Sequence, residues 1–206
     1  MPATRFILLR HGETEWNAVN REMGQLDSPL TARGLEQAQR LAHRVAALPF
    51  DALYSSDLGR ATQTAQAIAH RCSREIAFDV RLRERHMGIF QGLTPEESSQ
   101  RYPEERAAYG NKDAHYVIPS GESAEQRQRR TVACLDELAH RHPGGTVVVI
   151  THGGILMGFF EHVLGLPHGS GARFRRPNAA WNIFARDEKG WVLETWGDVS
   201  HLGSAG

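Results

Sequence analysis

The sequence is short of cysteine, of net charge and of long apolar runs, and each shortage removes a class of function. Two cysteines, Cys72 and Cys134, among 206 residues cannot build a disulfide framework. Each falls in a stretch of helical pattern, where cysteine usually serves as a small buried hydrophobe. Lysine plus arginine and aspartate plus glutamate both number 24, so no global field steers the chain toward nucleic acid or anionic lipid. No apolar run approaches the roughly 20 residues that span a bilayer. The run Phe6-Ile7-Leu8-Leu9 stops at Arg10 and is too short for a signal peptide. A reducing cytoplasm, with no nucleic-acid and no membrane partner, is the expected setting. Attraction for a charged substrate must therefore come from a local cluster.

What the chain does have is a repeated strand and helix pattern. Phe6 to Leu9 is a compact apolar run flanked by Arg5 and Arg10 and predicts a buried strand. Thr31 is placed as a helix N-cap, followed by Leu35, Ala38, Leu41, Ala42, Val45 and Leu48 at helical spacing, with Pro49 as the stop. Asp51 to Ser55 predicts a second strand, and Leu58 to about Arg71 a helix with Ala61, Ala65, Ile68 and Ala69 on one face. Ile76 to Phe78 is a weak strand. Leu82 to Thr94, with Gly88 and Gly92, predicts an irregular loop, and Pro95 opens a short polar helix. The stretch from there to Pro119 shows no strong period.

Glu122 to about His140 predicts a helix anchored by Val132, Leu135 and Leu138. Thr146 to Ile150, β-branched throughout, is the clearest buried strand, and an apolar helix follows to Leu164. Two last strands, Ala180 to Ala185 and Trp191 to Trp196, flank a turn at Asp187 to Gly190 and predict a hairpin. Strands alternating with helices imply one α/β domain over residues 1–206: a three-layer α/β/α arrangement, with a mostly parallel sheet of about six strands and helices on both faces.

Two strands end alike, in Arg10-His11-Gly12 and in Thr151-His152-Gly153-Gly154. In open α/β sheets ligands bind beyond the carboxyl ends of the strands, so both His-Gly pairs sit where a site belongs. A third strand leads through Ser56-Asp57-Leu58-Gly59 to Arg60 near a helix start. Two arginines, two histidines and helix N-termini around one crevice suit a dianion. Taken singly, most of the 11 histidines are surface residues, among them His43, His70, His140 and His142. A zinc site is the other chemical reading, but Arg10 and Arg60 interleave the supposed ligands and their positive charge opposes a cation.

At these residues the chain resembles a known family. Arg10-His11-Gly12-Glu13-Thr14-Glu15-Trp16-Asn17 is similar to the signature of the histidine phosphatase superfamily, the phosphoglycerate mutase-like enzymes. The resemblance continues through Asp27 to Gly34, Ser55 to Thr64, Leu82 to Glu84, Gly88 to Leu93, Pro119 to Ser123, Thr151 to Gly153 and Asp198 to Leu202. It implies a phosphomonoesterase acting on a small phosphorylated metabolite, with no cofactor and no metal. His11 would be the nucleophile that carries the phosphoryl group. Arg10, Arg60 and His152 would clamp its oxygens, with Asn17 and Gly153 also binding substrate. Glu84 would protonate the leaving group, then activate water, a role that needs it protonated at the start.

The family also holds mutases that depend on 2,3-bisphosphoglycerate. Glu84-Arg85-His86-Met87-Gly88 resembles their motif, with Met87 in place of a tyrosine. Gly92-Leu93-Thr94-Pro95 stands where they have Asn-Lys after Gly-Leu, and their adjacent arginine pair has no clear counterpart here. Those departures favour hydrolysis, while Arg85, Arg101 and Arg106 are the candidates for further substrate contacts. A non-catalytic module that binds phosphorylated ligands is a third reading, and the presence of His11, Arg10, Arg60, Glu84 and His152 together speaks against it. Trp16 is expected to shape the pocket wall, Asn178 is a candidate to face the site, and Met87 to Tyr116 is expected to cap the crevice and select substrate. Oligomeric state is open, a homodimer included.

Overall fold

The computed structural model describes residues 2–205, so the terminal residues of the expected 1–206 unit lie outside the described ones. In chain order it runs β1 (Thr4–Arg10), α1 (Glu15–Ala18), α2 (Ala32–Ala46), β2 (Ala52–Ser55), α3 (Gly59–Cys72), β3 (Ala77–Phe78) and α4 (Pro95–Arg101). It continues α5 (Pro103–Gly110), α6 (Ala124–Arg141), β4 (Thr146–Thr151), α7 (Gly153–Val163), β5 (Trp181–Asp187) and β6 (Gly190–Asp198). The six strands form one sheet in the order β3-β2-β4-β1-β5-β6. The first four are mutually parallel, and the β5–β6 hairpin adds antiparallel to β1.

Alternation along β1 shows why the sheet is covered on both faces. Ile7 and Leu9 point to one side, into a core with Leu41 and Val45 of α2 and Ala61, Ala65 and Ile68 of α3. Phe6 and Leu8 point to the other, against Leu135 and Leu138 of α6 and Leu156 and Phe159 of α7. The three-layer α/β/α arrangement expected from the pattern is the observed one. Two details depart from it. Leu35 and Leu48 are 53% and 42% exposed, because α2 rests only its Leu41 side on the sheet. Residues 103–110, which showed no period, form α5, opened by Pro103 with Glu104 and Glu105 in its first turn.

The topology places three strand ends in one row. Arg10 of β1 pairs with Thr151 of β4, and Ser55 of β2 pairs with Ile150. The register extends past the strands, with His11 N–H donating to the Thr151 carbonyl at 3.1 Å and Ser56 N–H to the Ile150 carbonyl at 3.0 Å. Crossovers leave on opposite faces here, α2 and α3 on one side and α6 and α7 on the other, which opens a crevice at the carboxyl ends of β1 and β4.

Thr31 ties the segment after β1 to α2. Its hydroxyl accepts from the Gly34 N–H at 3.0 Å and donates to the Glu13 carboxylate at 2.9 Å, and its N–H donates to the Glu13 carbonyl at 3.0 Å. Losing a cap of this kind costs about 0.5–2 kcal/mol. Thr31→Ala should lower unfolding free energy in urea by about that amount, with Thr31→Ser restoring most of it. An unchanged denaturation midpoint would show that the cap contributes nothing.

Candidate active site

The crevice has a volume of about 430 Å³ and is lined at its inner end by Arg10, His11, Asn17, Arg60, Glu84 and Gly154. These side chains come from β1, α1, α3, the 82–94 loop and α7, so no two neighbouring elements suffice to make it.

His11 lies just past β1 and is 2% exposed. Its Nδ1 is 2.7 Å from the Gly12 carbonyl oxygen, and a carbonyl can only accept, so Nδ1 carries the proton and Nε2 keeps its lone pair. Burial, then the positive charges of Arg60 and Arg10, hold its pKa well below the usual 6.5. His152, the N-cap of α7, stands beside it with ring centroids 5.2 Å apart. Its Nε2 lies 2.8 Å from the Ser56 hydroxyl, while Nδ1 is buried without a hydrogen-bond partner. Burial, with Arg60, His11 and Arg10, lowers its pKa strongly too. Both rings are neutral at pH 7.

The arginines are fixed by backbone carbonyls. Arg60, 1% exposed, donates to the Leu26 and Gly24 carbonyls at 2.8 and 2.7 Å and to Asp27 Oδ1 at 2.9 Å. Asp27 also accepts from the Gly59 N–H at 2.6 Å and so caps α3, whose own N-cap residue Leu58 has no side-chain bond to offer. Arg10 donates to the Arg176 carbonyl. Its pKa falls to about 10 through burial and the nearby Arg176 and Arg60, against a favourable pull from Glu84. The Nε atoms of Arg10 and Arg60 are both buried with no partner.

Glu84 faces these groups. Its Oε1 accepts from the Arg85 N–H and its Oε2 from the Gly154 N–H, each at 2.7 Å. A Cβ on Gly154 would lie 2.2 Å from Glu84 Oε1, so only glycine lets the start of α7 approach the carboxylate. Arg130 holds the Glu84 backbone from behind, donating to its carbonyl at 3.0 Å and to Glu122 at 2.6 Å.

The structure thus gathers His11, His152, Arg10, Arg60, Asn17 and Glu84, as the sequence pattern anticipated. Asn17 accepts from the Thr14 N–H at 3.2 Å and from Asn178 Nδ2 at 3.0 Å, leaving its own amide N–H groups for the crevice. Asn178 Nδ2 also donates to the His11 and Gly12 carbonyls, both at 3.2 Å, so it braces the loop from behind instead of facing substrate. Neither Gly153 nor His152 is among the lining residues: Gly153 begins α7 against the Arg10 guanidinium, and Gly154 is the glycine of this turn that lines the crevice. Trp16 packs toward Gly92 and is not among them either.

Of the expected cap, Met87, Tyr109, Gly110 and Lys112 line the crevice. Arg85 lines it with its donors engaged by the Glu122 and Tyr116 carbonyls, at 3.0 and 3.2 Å, and Arg106 is paired with Glu22 at 3.0 Å. Sequence reasoning missed Arg127, Arg130, Gly154, Met157, Glu161, His168 and Arg176. The second glycine of Gly153-Gly154 was the one visible signal among them; the rest sit on helix faces or loops with no motif. Among the described residues no group of three or more His, Cys, Asp or Glu could hold a metal ion, and no helix is long and apolar enough to cross a membrane.

A family model described as the histidine phosphatase superfamily (branch 1) matches residues 6–199. A metal-independent phosphoserine phosphatase from Arabidopsis thaliana is 39% identical over 206 residues, covering 98% of this chain and 85% of the relative. A probable phosphoglycerate mutase, GpmB of Shigella boydii, is 40% identical over 205 residues, covering 95% and 93%. The solved structure of Bacillus stearothermophilus YhfR superposes with a TM-score of 0.88 at 33% identity, over 97% of this chain and 99% of that one. With this match running from β1 to the end of β6 and the crevice built as described, the chain belongs to branch 1 of the histidine phosphatase superfamily and is a phosphatase.

Proposed function

We propose that the chain hydrolyses the phosphomonoester of a small metabolite through a phosphohistidine on His11, without a metal. The observation that carries this reading is the His11 Nδ1 contact with the Gly12 carbonyl, 2.7 Å long, which leaves Nε2 as a lone-pair donor on a neutral ring. In the first step Nε2 bonds to phosphorus as the ester P–O bond breaks, and Glu84 gives its proton to the departing oxygen. In the second, a water loses a proton to Glu84 and bonds to phosphorus, the N–P bond breaks, and inorganic phosphate leaves.

Phosphoryl transfer asks the protein mainly for position and charge stabilisation. The unpartnered Nε atoms of Arg10 and Arg60, the buried Nδ1 of His152 and the Asn17 amide supply donors for the phosphoryl oxygens. Glu84 keeps its place in both steps through the Arg85 and Gly154 N–H groups. The 39% identity to a phosphoserine phosphatase makes O-phosphoserine the first ester to assay. Two free thiols, Cys72 and Cys134, fit a reducing cytoplasm.

A mutase reading takes support from the GpmB resemblance, but Pro95 opens α4 directly after Leu93-Thr94, where mutases carry Asn-Lys. Incubation with 3-phosphoglycerate and catalytic 2,3-bisphosphoglycerate should release inorganic phosphate, with little 2-phosphoglycerate. Stoichiometric isomerisation without phosphate release would overturn hydrolysis.

Glu84→Gln should slow phosphorylation of His11 by an alkyl ester about 10²–10⁴-fold, the usual worth of a general acid. The burst of para-nitrophenolate from para-nitrophenyl phosphate, whose leaving group needs no proton, should lose far less. Equal losses would remove the acid role.

The imidazole environments predict a pH dependence of stability. Below pH 6.5 the unfolded chain protonates both rings while the folded chain does not, because both folded pKa values are lowered. Each ring therefore subtracts stability as pH falls below 6.5, by up to about 1.4 kcal/mol per pH unit. Ring carbon and proton shifts of His11 and His152 should show no inflection between pH 8 and 6. A midpoint at or above 6.5 for His11 would refute the neutral nucleophile.

A further inference from the structure

We propose that the far end of the crevice is a carboxylate-binding subsite anchored by Arg127, so that the substrate is a phosphomonoester with a carboxylate on its leaving group. The proposal rests on the phosphatase reading of the same crevice and names its substrate class.

Arg127 lies on α6, lines the crevice and is only 6% exposed. Its Nε is buried with no hydrogen-bond partner. Of the seven side-chain atoms so stranded among the described residues, three belong to residues that line this crevice, Nε of Arg10, Arg60 and Arg127, and a fourth, Nδ1 of His152, belongs to the ring beside His11. The phosphoryl site proposed above calls on Arg10, Arg60 and His152, and not on Arg127. Its neighbour Arg85 makes the contrast plain, since its guanidinium is engaged by two backbone carbonyls. A buried guanidinium kept only for structure would be satisfied in the same way.

The fold makes room for this side chain. A Cβ on Gly158 would lie 2.4 Å from Arg127 Nη2, so the guanidinium rests on the bare backbone of α7. Gln128 Nε2 holds the two helices at this level by donating to the Gly158 carbonyl at 2.8 Å. Gly154, whose N–H receives the Glu84 carboxylate, is four residues earlier on the same helix. That spacing is about 6 Å along the axis. A leaving group of two or three carbons, hydrogen-bonded to Glu84 at its ester oxygen and to Arg127 at its other end, spans such a gap at about 2.8 Å per bond.

Charge selects a carboxylate over a second phosphate. Arg127 lies within the field of Glu84, Arg85 and Glu161, and Glu161 is itself buried. Glu22, also on the wall, is neutralised by Arg106. The planar guanidinium fork of Arg127 matches the two oxygens of a carboxylate, and the carboxylate of Glu161 on the same wall opposes a further negative charge.

The test compares matched esters that differ by a carboxylate: O-phospho-L-serine against O-phosphoethanolamine, and 3-phosphoglycerate against sn-glycerol 3-phosphate. In the wild-type enzyme kcat/KM should favour the carboxylate member of each pair by roughly 10- to 100-fold, the range for a charge-assisted hydrogen bond. Arg127→Met should collapse that ratio toward one, and Arg127→Lys should leave part of it. A wild-type enzyme without the preference, or an Arg127→Met enzyme that keeps it, would overturn the proposal. Calorimetric binding of the same esters to His11→Ala, with and without Arg127→Met, reads the subsite without turnover. A chain that hydrolyses none of the esters but binds the carboxylate pair members through Arg127 would sink the phosphatase reading and keep the subsite. Binding indifferent to Arg127 would sink the subsite alone.

Discussion

Everything in this molecule's chemistry follows from positive charge that is buried and incompletely compensated. Arg10 and Arg60 sit beside two neutral imidazoles, with Glu84 and the half-exposed Asp27 as the nearby carboxylates. Burying a cation is costly unless its donors are met. Here carbonyls of Leu26, Gly24 and Arg176 meet some of them, and the stranded Nε atoms do not find partners within the chain. Burial, and after it the same field, keeps His11 and His152 unprotonated, which leaves each ring a lone pair. On the proposed reading, a phosphoryl dianion would relieve the repulsion and fill the open donors in one event.

The scaffold supplies rigidity for this arrangement by extending strand registers into the site. His11 and Ser56 are one residue beyond their strands, yet both still donate to β4. Their side chains are therefore placed by sheet geometry instead of by loop conformation. Glu84 has no strand beneath it. Its position comes from α7 through the Gly154 N–H and from α6 through Arg130, so the groups that would move protons and those that would hold phosphate are anchored to different layers.

On the proposed reading, the segments that close the crevice would carry the substrate choice. Residues 87–112 form one wall through Met87, Tyr109 and Lys112, and α6 and α7 form the floor through Arg127, Met157 and Glu161. Relatives described as a phosphoserine phosphatase and as a probable phosphoglycerate mutase match this chain almost equally well, at 39% and 40% identity. Identity of that kind is dominated by the shared frame. In this chain the wall carries the proline-opened α5 and the buried Arg85, with the buried Arg127 on the floor.

Local sequence settled the frame because strands and helices announce themselves by period. The β-branched run before Thr151-His152, the apolar run before Arg10-His11 and the Thr31 cap each act through neighbours in the chain. His11, His152, Arg10, Arg60 and Glu84 were legible because they fall at strand ends, at a helix start or in short motifs. Residues 103–110 were not, since α5 is short and buries little, and Leu35 followed the helical period without facing the core. Arg127 carries no motif of its own in the run Gln126-Arg127-Gln128-Arg129-Arg130. Whether an arginine on α6 points to solvent or into a crevice depends on the helix that crosses it, and Gly158 of α7, 31 positions later in the chain, makes that decision. Sequence alone determined the sheet, its two covered faces and the phosphoryl end of the site. Only tertiary packing decided which buried donors were left open, because that depends on contacts between segments with no shared local pattern.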